Sequence, residues 1–236
     1  MNLLIYFIKN KSLDILVNGL NGSMGKAIQQ LLKPQPSIKV QDFKESEVDL
    51  SLPNVVIDFS SPNCIPDLLK TCVDKKLPLI IGTTGLNSEH YALIDQAQKI
   101  IPILLASNMS AGIAKLKHSI KNFLHTSEGP FSCKITEIHH TKKIDSPSGT
   151  AIEIKEFLED SSGGNIANQI EIHSSRLGRI FGIHRIEFYN AKEAILFQHV
   201  AGSRDIFASG AIHASQIIGS CPPGIYNFSD FLTKKL

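Results

Sequence analysis

Four short, unbroken apolar runs constrain the fold of this chain more than any other feature: Ile15-Leu16-Val17, Val55-Val56-Ile57, Leu79-Ile80-Ile81 and Ile103-Leu104-Leu105. A strand with one face in water alternates apolar and polar residues, whereas a run with no polar member is covered on both faces. Helical patterns fill the gaps at 25–33, at 63–75 behind Pro62, and at 88–99 with Ser88 at the N-cap position. Strands alternating with helices predict parallel βαβ units, half of a doubly wound α/β fold.

Past about residue 110 the pattern changes. A helix over 111–124 precedes four segments that alternate in polarity, Phe131–Ile138, Gln169–His173, Ile183–Tyr189 and Ala194–Ala201, and these read as strands with one polar face. A helix at 150–160 ends in the turn Ser161-Ser162-Gly163-Gly164-Asn165. The second half therefore predicts an α+β domain with an open mixed sheet.

A chain of 236 residues buries a substantial core without disulfides or metal. The 24 Lys+Arg balance 22 Asp+Glu, and the basic residues are dispersed, unlike the clustered face of a nucleic-acid binder. Cys64, Cys72, Cys133 and Cys221 have spacings that fit neither a zinc site nor a disulfide framework, so they read as free buried thiols in a reducing cytosol. The apolar run Leu3–Ile8 is too short to span a membrane and lacks the basic flank of a signal peptide; it reads as an N-terminal extension.

Two stretches carry chemistry. After the first strand comes Val17-Asn18-Gly19-Leu20-Asn21-Gly22-Ser23-Met24-Gly25, with glycines at i, i+3 and i+6 opening a helix. Such a loop is also an ordinary strand–helix turn, but its place at the first βα junction favours a pyrophosphate site, where backbone and helix N-terminus meet the anion. Asp42 stands where an acidic partner of the adenosine ribose belongs, yet reads better as a solvated residue among Lys44, Glu45, Glu47 and Asp49. The second stretch is Glu137-Ile138-His139-His140-Thr141-Lys142-Lys143-Ile144-Asp145-Ser146-Pro147-Ser148-Gly149-Thr150-Ala151. It joins two histidines and two lysines to a Ser-Gly-Thr helix start, supplying a general acid and a clamp for carboxylates. No regular ligand spacing suggests a metal.

With these residues in view, the chain resembles the 4-hydroxy-tetrahydrodipicolinate reductases, formerly dihydrodipicolinate reductases, of the diaminopimelate–lysine pathway. The likeness rests on the Glu-x-His-His segment and, in the family's order, on Gly19-x-x-Gly22-x-Met24-Gly25, Asp58-Phe59-Ser60, Gly82-Thr83-Thr84-Gly85, Ser107-Asn108-Met109-Ser110, Arg176-x-Gly178 and Ser203-Arg204-x-x-Phe207-Ala208-x-Gly210-Ala211. It implies a Rossmann-like dinucleotide-binding domain of residues 1–110 and 205–236, and a substrate-binding and oligomerisation domain of 111–204 that builds a cytoplasmic homotetramer. Gly19, Gly22, Ser23, Met24 and Gly25 would surround the pyrophosphate of NADH or NADPH, Gly82, Thr83 and Thr84 would line the nicotinamide ribose and carboxamide, and Ser107, Asn108 and Met109 would form the nicotinamide shelf. His139 takes the place of the proposed acid with Lys143 beside it. His140, Lys143, Ser148, Gly149, Thr150 and Arg204 would grip the two carboxylates of the substrate.

The sequence departs from the family twice. Ser23 replaces the basic residue that helps hold a 2′-phosphate. Only about twenty residues separate the first helix from Val55, where relatives carry several tens, so the second strand and its adenosine loop are expected to be shortened or missing. Two other readings compete. A nicotinamide dehydrogenase of the semialdehyde or homoserine type needs, for the former, a nucleophilic cysteine, which Cys133 suits poorly. A non-catalytic ligand sensor has no use for His139, Lys143 and Arg204.

Overall fold

The computed structural model describes residues 13–44, 54–127 and 130–232. In chain order the elements are β1 (Leu13–Asn18), α1 (Ser23–Leu32), β2 (Ile38–Asp42), β3 (Asn54–Asp58), α2 (Ile65–Lys75), β4 (Leu79–Ile81), α3 (Ser88–Ala97), β5 (Pro102–Leu105), α4 (Ala111–Thr126) and β6 (Ser132–His139). They continue with α5 (Gly149–Ser161), β7 (Glu171–Arg176), β8 (Ile183–Tyr189), β9 (Ala194–Val200), α6 (Asp205–Ile218), β10 (Gly224–Tyr226) and α7 (Phe228–Leu232). Two compact units result: one runs through Met109 and resumes at Phe207, and the other is Ser110–Ile206.

The first unit holds a six-stranded sheet in the order β10-β5-β4-β3-β1-β2, with every pairing parallel. Side chains alternate across a strand, so each apolar run supplies both faces. Ile15, Val17, Ile57, Ile80 and Leu104 pack under α1, α6 and α7, while Leu16, Val56, Leu79, Ile81 and Ile103 pack under α2 and α3. Burial of each such side chain contributes roughly 1.5–3 kcal/mol.

Several local expectations are corrected. The second strand is present: β2 pairs in parallel with β1, with Val17 opposite Asp42. Only Ile38 of it is buried because it lies at the sheet edge, and its loop at 45–53 falls outside the described residues. The N-cap of α3 is Asn87 rather than Ser88: Asn87 Oδ1 accepts the His90 N–H at 3.1 Å, and His90 Nδ1 accepts the Asn87 N–H at 3.1 Å, a reciprocal capping box. Behind Pro62 the chain makes a 3₁₀ turn (Pro62–Cys64) before α2 begins. All four cysteines are free, but only Cys72 and Cys133 are buried, their thiols pushed up to about 12 by burial; Cys64 and Cys221 are half-buried. Leu3–Ile8 lies outside the described residues, and no described helix is long and apolar enough to cross a membrane.

The second unit has a four-stranded sheet, β7-β6-β8-β9, with β6 parallel to β7 and antiparallel to β8. One face packs on α4 through Ile113, Leu116, Ile120 and Leu124 and on α5 through Ala151, Ile154 and Leu158. Its second strand in chain order, β7, lies later than the alternation suggests, at Glu171–Arg176, and thereby brings Arg176 into the sheet. The other face carries exposed Tyr189, Leu196 and Val200.

Candidate functional site

In the first unit the chain leaves β1, pairs β2 on one side and β3 on the other, and so creates a switch point at the carboxyl ends of the strands. The glycine loop lies there. Gly19 has φ +91°, a conformation that L side chains rarely adopt, and a Cβ on it would stand 2.7 Å from the Phe59 carbonyl oxygen. A Cβ on Gly25 would stand 2.2 Å from the Leu20 oxygen. Gly22 is the N-cap of α1 with no side-chain cap bond, and the first turn, with Ser23 and Met24, holds no acidic residue. Its N–H groups thus suit an anion.

Below the loop, Asn18 Nδ2 donates to Asp58 Oδ1 at 2.8 Å and to Ser60 Oγ at 3.0 Å, joining the ends of β1 and β3. Asn18 Oδ1 and Asp58 Oδ2 are buried acceptors with no hydrogen-bond partner among the described residues. A cleft of about 420 Å³ opens beside Asn18, bounded by Phe43 and Lys44 after β2, by Cys64 at the end of the 3₁₀ turn and by Leu68 and Lys75 along α2. Loop, unmet acceptors and cleft have the shape and polarity that phosphates and a nucleoside would need.

Gly82, Thr83 and Thr84 follow β4, and Ser107, Asn108 and Met109 follow β5, on the same edge of the sheet. Thr83 Oγ1 accepts the Ser60 N–H at 3.0 Å, and a Cβ on Gly82 would run into the Phe59 ring at 2.1 Å. Met109 differs from its expected place on a shelf: it is buried, with its side chain in the core and its carbonyl oxygen against Gly210 of α6. Asp42, read from sequence as solvated, is the half-buried last residue of β2 and accepts the Lys44 N–H through Oδ1 at 2.9 Å.

The second unit assembles its polar site from register. Along β6 the inward positions are Cys133, Ile135, Glu137 and His139, so the apolar core continues directly into two ionisable side chains. Glu137 is opposite His184 on β8, and His139 is opposite Arg176 on β7. Glu137 Oε1 accepts Arg176 Nη1 at 2.9 Å and the Ser148 N–H at 3.3 Å, and Oε2 is bonded to His139 Nδ1. Burial raises the Glu137 pKa, but Ser174, Arg176 and His139 outweigh it and hold the carboxyl below its ordinary value. For His139, burial and the charges of Lys143 and Arg176 win over the opposing Glu137 and leave the imidazole below its ordinary value. His184 touches the His139 ring edge-on, with centroids 5.1 Å apart, and is depressed to about 3 by burial and then by His139.

The loop after β6 carries the cations. Lys143 pairs with Asp145 at 2.8 Å, and Arg176 Nη2 donates to the Asp145 carbonyl. Ser148 caps α5, its Oγ accepting the Ala151 N–H at 3.2 Å; Gly149 and Thr150 form the first turn. Arg204 lies 5.2 Å from the Phe181 ring centroid, and its charge adds to burial in lowering His140. Glu137, Arg176 and His184 are parts of this site that spacing did not reveal. The ligand atoms of Glu137, His139 and His184 lie within 4.8 Å of one another, a grouping that also suits a cation. A hydrogen-bond network accounts for it better, because both oxygens of Glu137 are already engaged and a guanidinium sits on one of them.

A family profile described as "Dihydrodipicolinate reductase, C-terminus" matches residues 112–232, and one described as "Dihydrodipicolinate reductase, N-terminus" matches 37–109. A 4-hydroxy-tetrahydrodipicolinate reductase of Alkaliphilus oremlandii is 35% identical over 93% of this chain and 98% of its own length. One of Bdellovibrio bacteriovorus is 34% identical over 95% and 98%. Among solved structures, a dipicolinate-bound dihydrodipicolinate reductase from Paenisporosarcina sp. TG-14 superposes with a TM-score of 0.66 at 18% identity, covering 91% of this chain and 97% of that one.

Proposed function

Because the chain belongs to the dihydrodipicolinate reductase family, we propose that it reduces 4-hydroxy-tetrahydrodipicolinate to tetrahydrodipicolinate with a nicotinamide cofactor, in lysine and diaminopimelate biosynthesis. The observation that carries this reading onto the residues is the network in which buried His139 is bonded to Glu137 beside the N-terminus of α5.

The first unit is the dinucleotide-binding one. Gly19, Gly22, Ser23, Met24 and Gly25 hold the diphosphate, Gly82, Thr83 and Thr84 the nicotinamide ribose and carboxamide, and Ser107 and Asn108 the ring. The cofactor supplies a hydride to C4 of the species formed when the 4-hydroxy group leaves as water. The chain's own residues bind, orient and protonate. His140, Lys143, Ser148, Gly149, Thr150 and Arg204 grip the two carboxylates, with the α5 N-terminus adding its dipole. His139 gives a proton to C3, and Lys143 holds the adjacent carboxylate in register. Cys133 is buried within β6 with its thiol near 12, which removes it as the nucleophile of a semialdehyde dehydrogenase.

The enzyme accepts both NADH and NADPH. Asp42 at the end of β2 offers a carboxylate to a ribose hydroxyl, while Lys44 and Lys75 at the cleft offer flexible positive charge to a 2′-phosphate. It works in the cytoplasm as a homotetramer, a reading supported by four free thiols and by the exposed Tyr189, Leu196 and Val200 on the outer, otherwise largely polar face of the second sheet.

The test is cofactor oxidation with enzymatically generated substrate. Turnover with either cofactor, and kcat/KM values within a hundredfold of each other at one ionic strength, are the expected results. Protein that binds cofactor and pyridine-2,6-dicarboxylate yet never oxidises the cofactor overturns the enzymatic reading.

A further inference from the structure

Glu137 is completely buried at a strand position that directly continues the apolar inward positions Cys133 and Ile135. A carboxylate there is tolerated only because its oxygens are bonded, and the bonds are divided between them. Oε1 serves Arg176 and the Ser148 N–H, and Oε2 faces His139 Nδ1. An ionised carboxylate is acceptor only, so Nδ1 carries a proton in both charge states of the ring. The other nitrogen is left clear: the Gly182 backbone passes beside Nε2, and a Cβ on that glycine would stand 3.0 Å from it. His184, opposite Glu137 in the register, lies edge-on to the His139 ring and limits its rotation.

We propose that Glu137 is the positioning residue of the proton donor, fixing His139 with Nδ1 protonated so that Nε2 alone faces the substrate, and that Gly182 keeps the approach to Nε2 open. The proposal rests on the reductase reading for the identity of the proton acceptor. As hydride adds to C4, the electron pair of the C3=C4 bond moves to C3; the Nε2–H bond breaks and its proton bonds to C3. His139 is left neutral, with Nδ1–H still on Glu137 and Nε2 free to be reprotonated from solvent. Without the carboxylate the neutral ring is free to place its proton on Nε2, and neither tautomer nor ring angle is fixed.

The charged and titratable groups facing His139 come from four places: Glu137 on its own strand, Arg176 on β7, His184 on β8 and Lys143 on the loop. Glu137 opposes burial, Lys143 and Arg176 in setting the charge of the ring. Glu137→Gln keeps size and polarity and removes that opposition.

Two measurements test the proposal. Glu137→Gln should lower kcat by roughly 10- to 100-fold with substrate KM within about threefold, and should move the descending limb of kcat/KM against pH down by about one unit or more, whereas Glu137→Asp should restore the limb. In wild-type protein labelled with ¹⁵N-histidine, the neutral His139 ring should show a protonated Nδ1 and a bare Nε2, the signal being identified by its loss in His139→Gln. A bare Nδ1 in that spectrum, or a Glu137→Gln enzyme with unchanged kcat and pH profile, overturns the proposal. Should the variant fail to fold, the wild-type spectrum still decides. Wild-type protein with no reductase activity defeats the functional reading instead and leaves the tautomer measurement standing.

Discussion

Lys143 is already occupied by Asp145 at 2.8 Å, so a substrate carboxylate reaches it by exchange with a carboxylate of the chain itself. Such a pair sets the ground state against which substrate competes, and loss of the lysine removes both partners' purpose. His139→Ala and Lys143→Ala should each lower kcat by about 10²-fold or more, measured in steady state with substrate at saturation. Arg204→Ala should chiefly raise KM, because a carboxylate contact equal in ground and transition states contributes to binding alone. His184 sets a stability window. Its folded value near 3 lies below the ordinary 6.5, so between these values the unfolded chain binds the extra proton. Stability from this group is complete above about pH 6.5 and falls as pH drops toward 3, at most about 1.4 kcal/mol for each unit. Melting temperature followed from pH 7.5 to 5 should decline less steeply in His184→Gln than in the parent; equal slopes would remove His184 as the cause.

Among the elements, α1 shows how little room the glycine loop has. With Leu20 O only 2.2 Å from a Cβ on Gly25, Gly25→Ala must displace backbone, and we expect a loss of about 1–3 kcal/mol together with weaker cofactor binding, read by thermal melting and by nicotinamide fluorescence titration. Retained affinity with native stability would show that the loop yields without cost. Strands β1, β3, β4 and β5 of the first sheet were legible because a buried parallel strand declares itself as an apolar run, whereas the three residues of β10 form no such run. Strand β2 was not, since Ile38-Lys39-Val40-Gln41-Asp42 sits at the sheet edge and alternates like a surface segment. At α3, Asn87 and Ser88 are both capping residues, and only His90, three beyond Asn87, decides between them. In the second unit His139 and Lys143 were legible as a local cluster. Glu137 had a signal that spacing arguments overlook, the continuation of the inward series Cys133, Ile135, Glu137, His139. Arg176 was marked only by the Arg176-x-Gly178 likeness, without a role, and His184 had no signal, because register between distant strands is written in no local pattern.

For the whole molecule, the outer face of the second sheet leaves Leu196 47% and Val200 56% exposed, which predicts self-association there. Replacing both by lysine should shift sedimentation toward a single chain while leaving the fold intact by circular dichroism; an unchanged sedimentation coefficient would place the contact elsewhere. The two units also differ in how the chain supplies them. Ser110–Ile206 is one uninterrupted stretch, but the other unit takes α6, β10 and α7 from the far end of the sequence. α6 lies on the sheet so closely that a Cβ on Gly210 would come within 1.9 Å of the Met109 carbonyl oxygen, and it covers Ile15, Val17, Ile57 and Leu104 together with Phe228 and Phe231. A ribosome therefore finishes the later-starting unit first. The strands made earliest wait, one greasy side unclosed, until the last helices emerge, and a message cut short after residue 206 should yield a soluble second unit tethered to a sheet that chaperones hold or that precipitates.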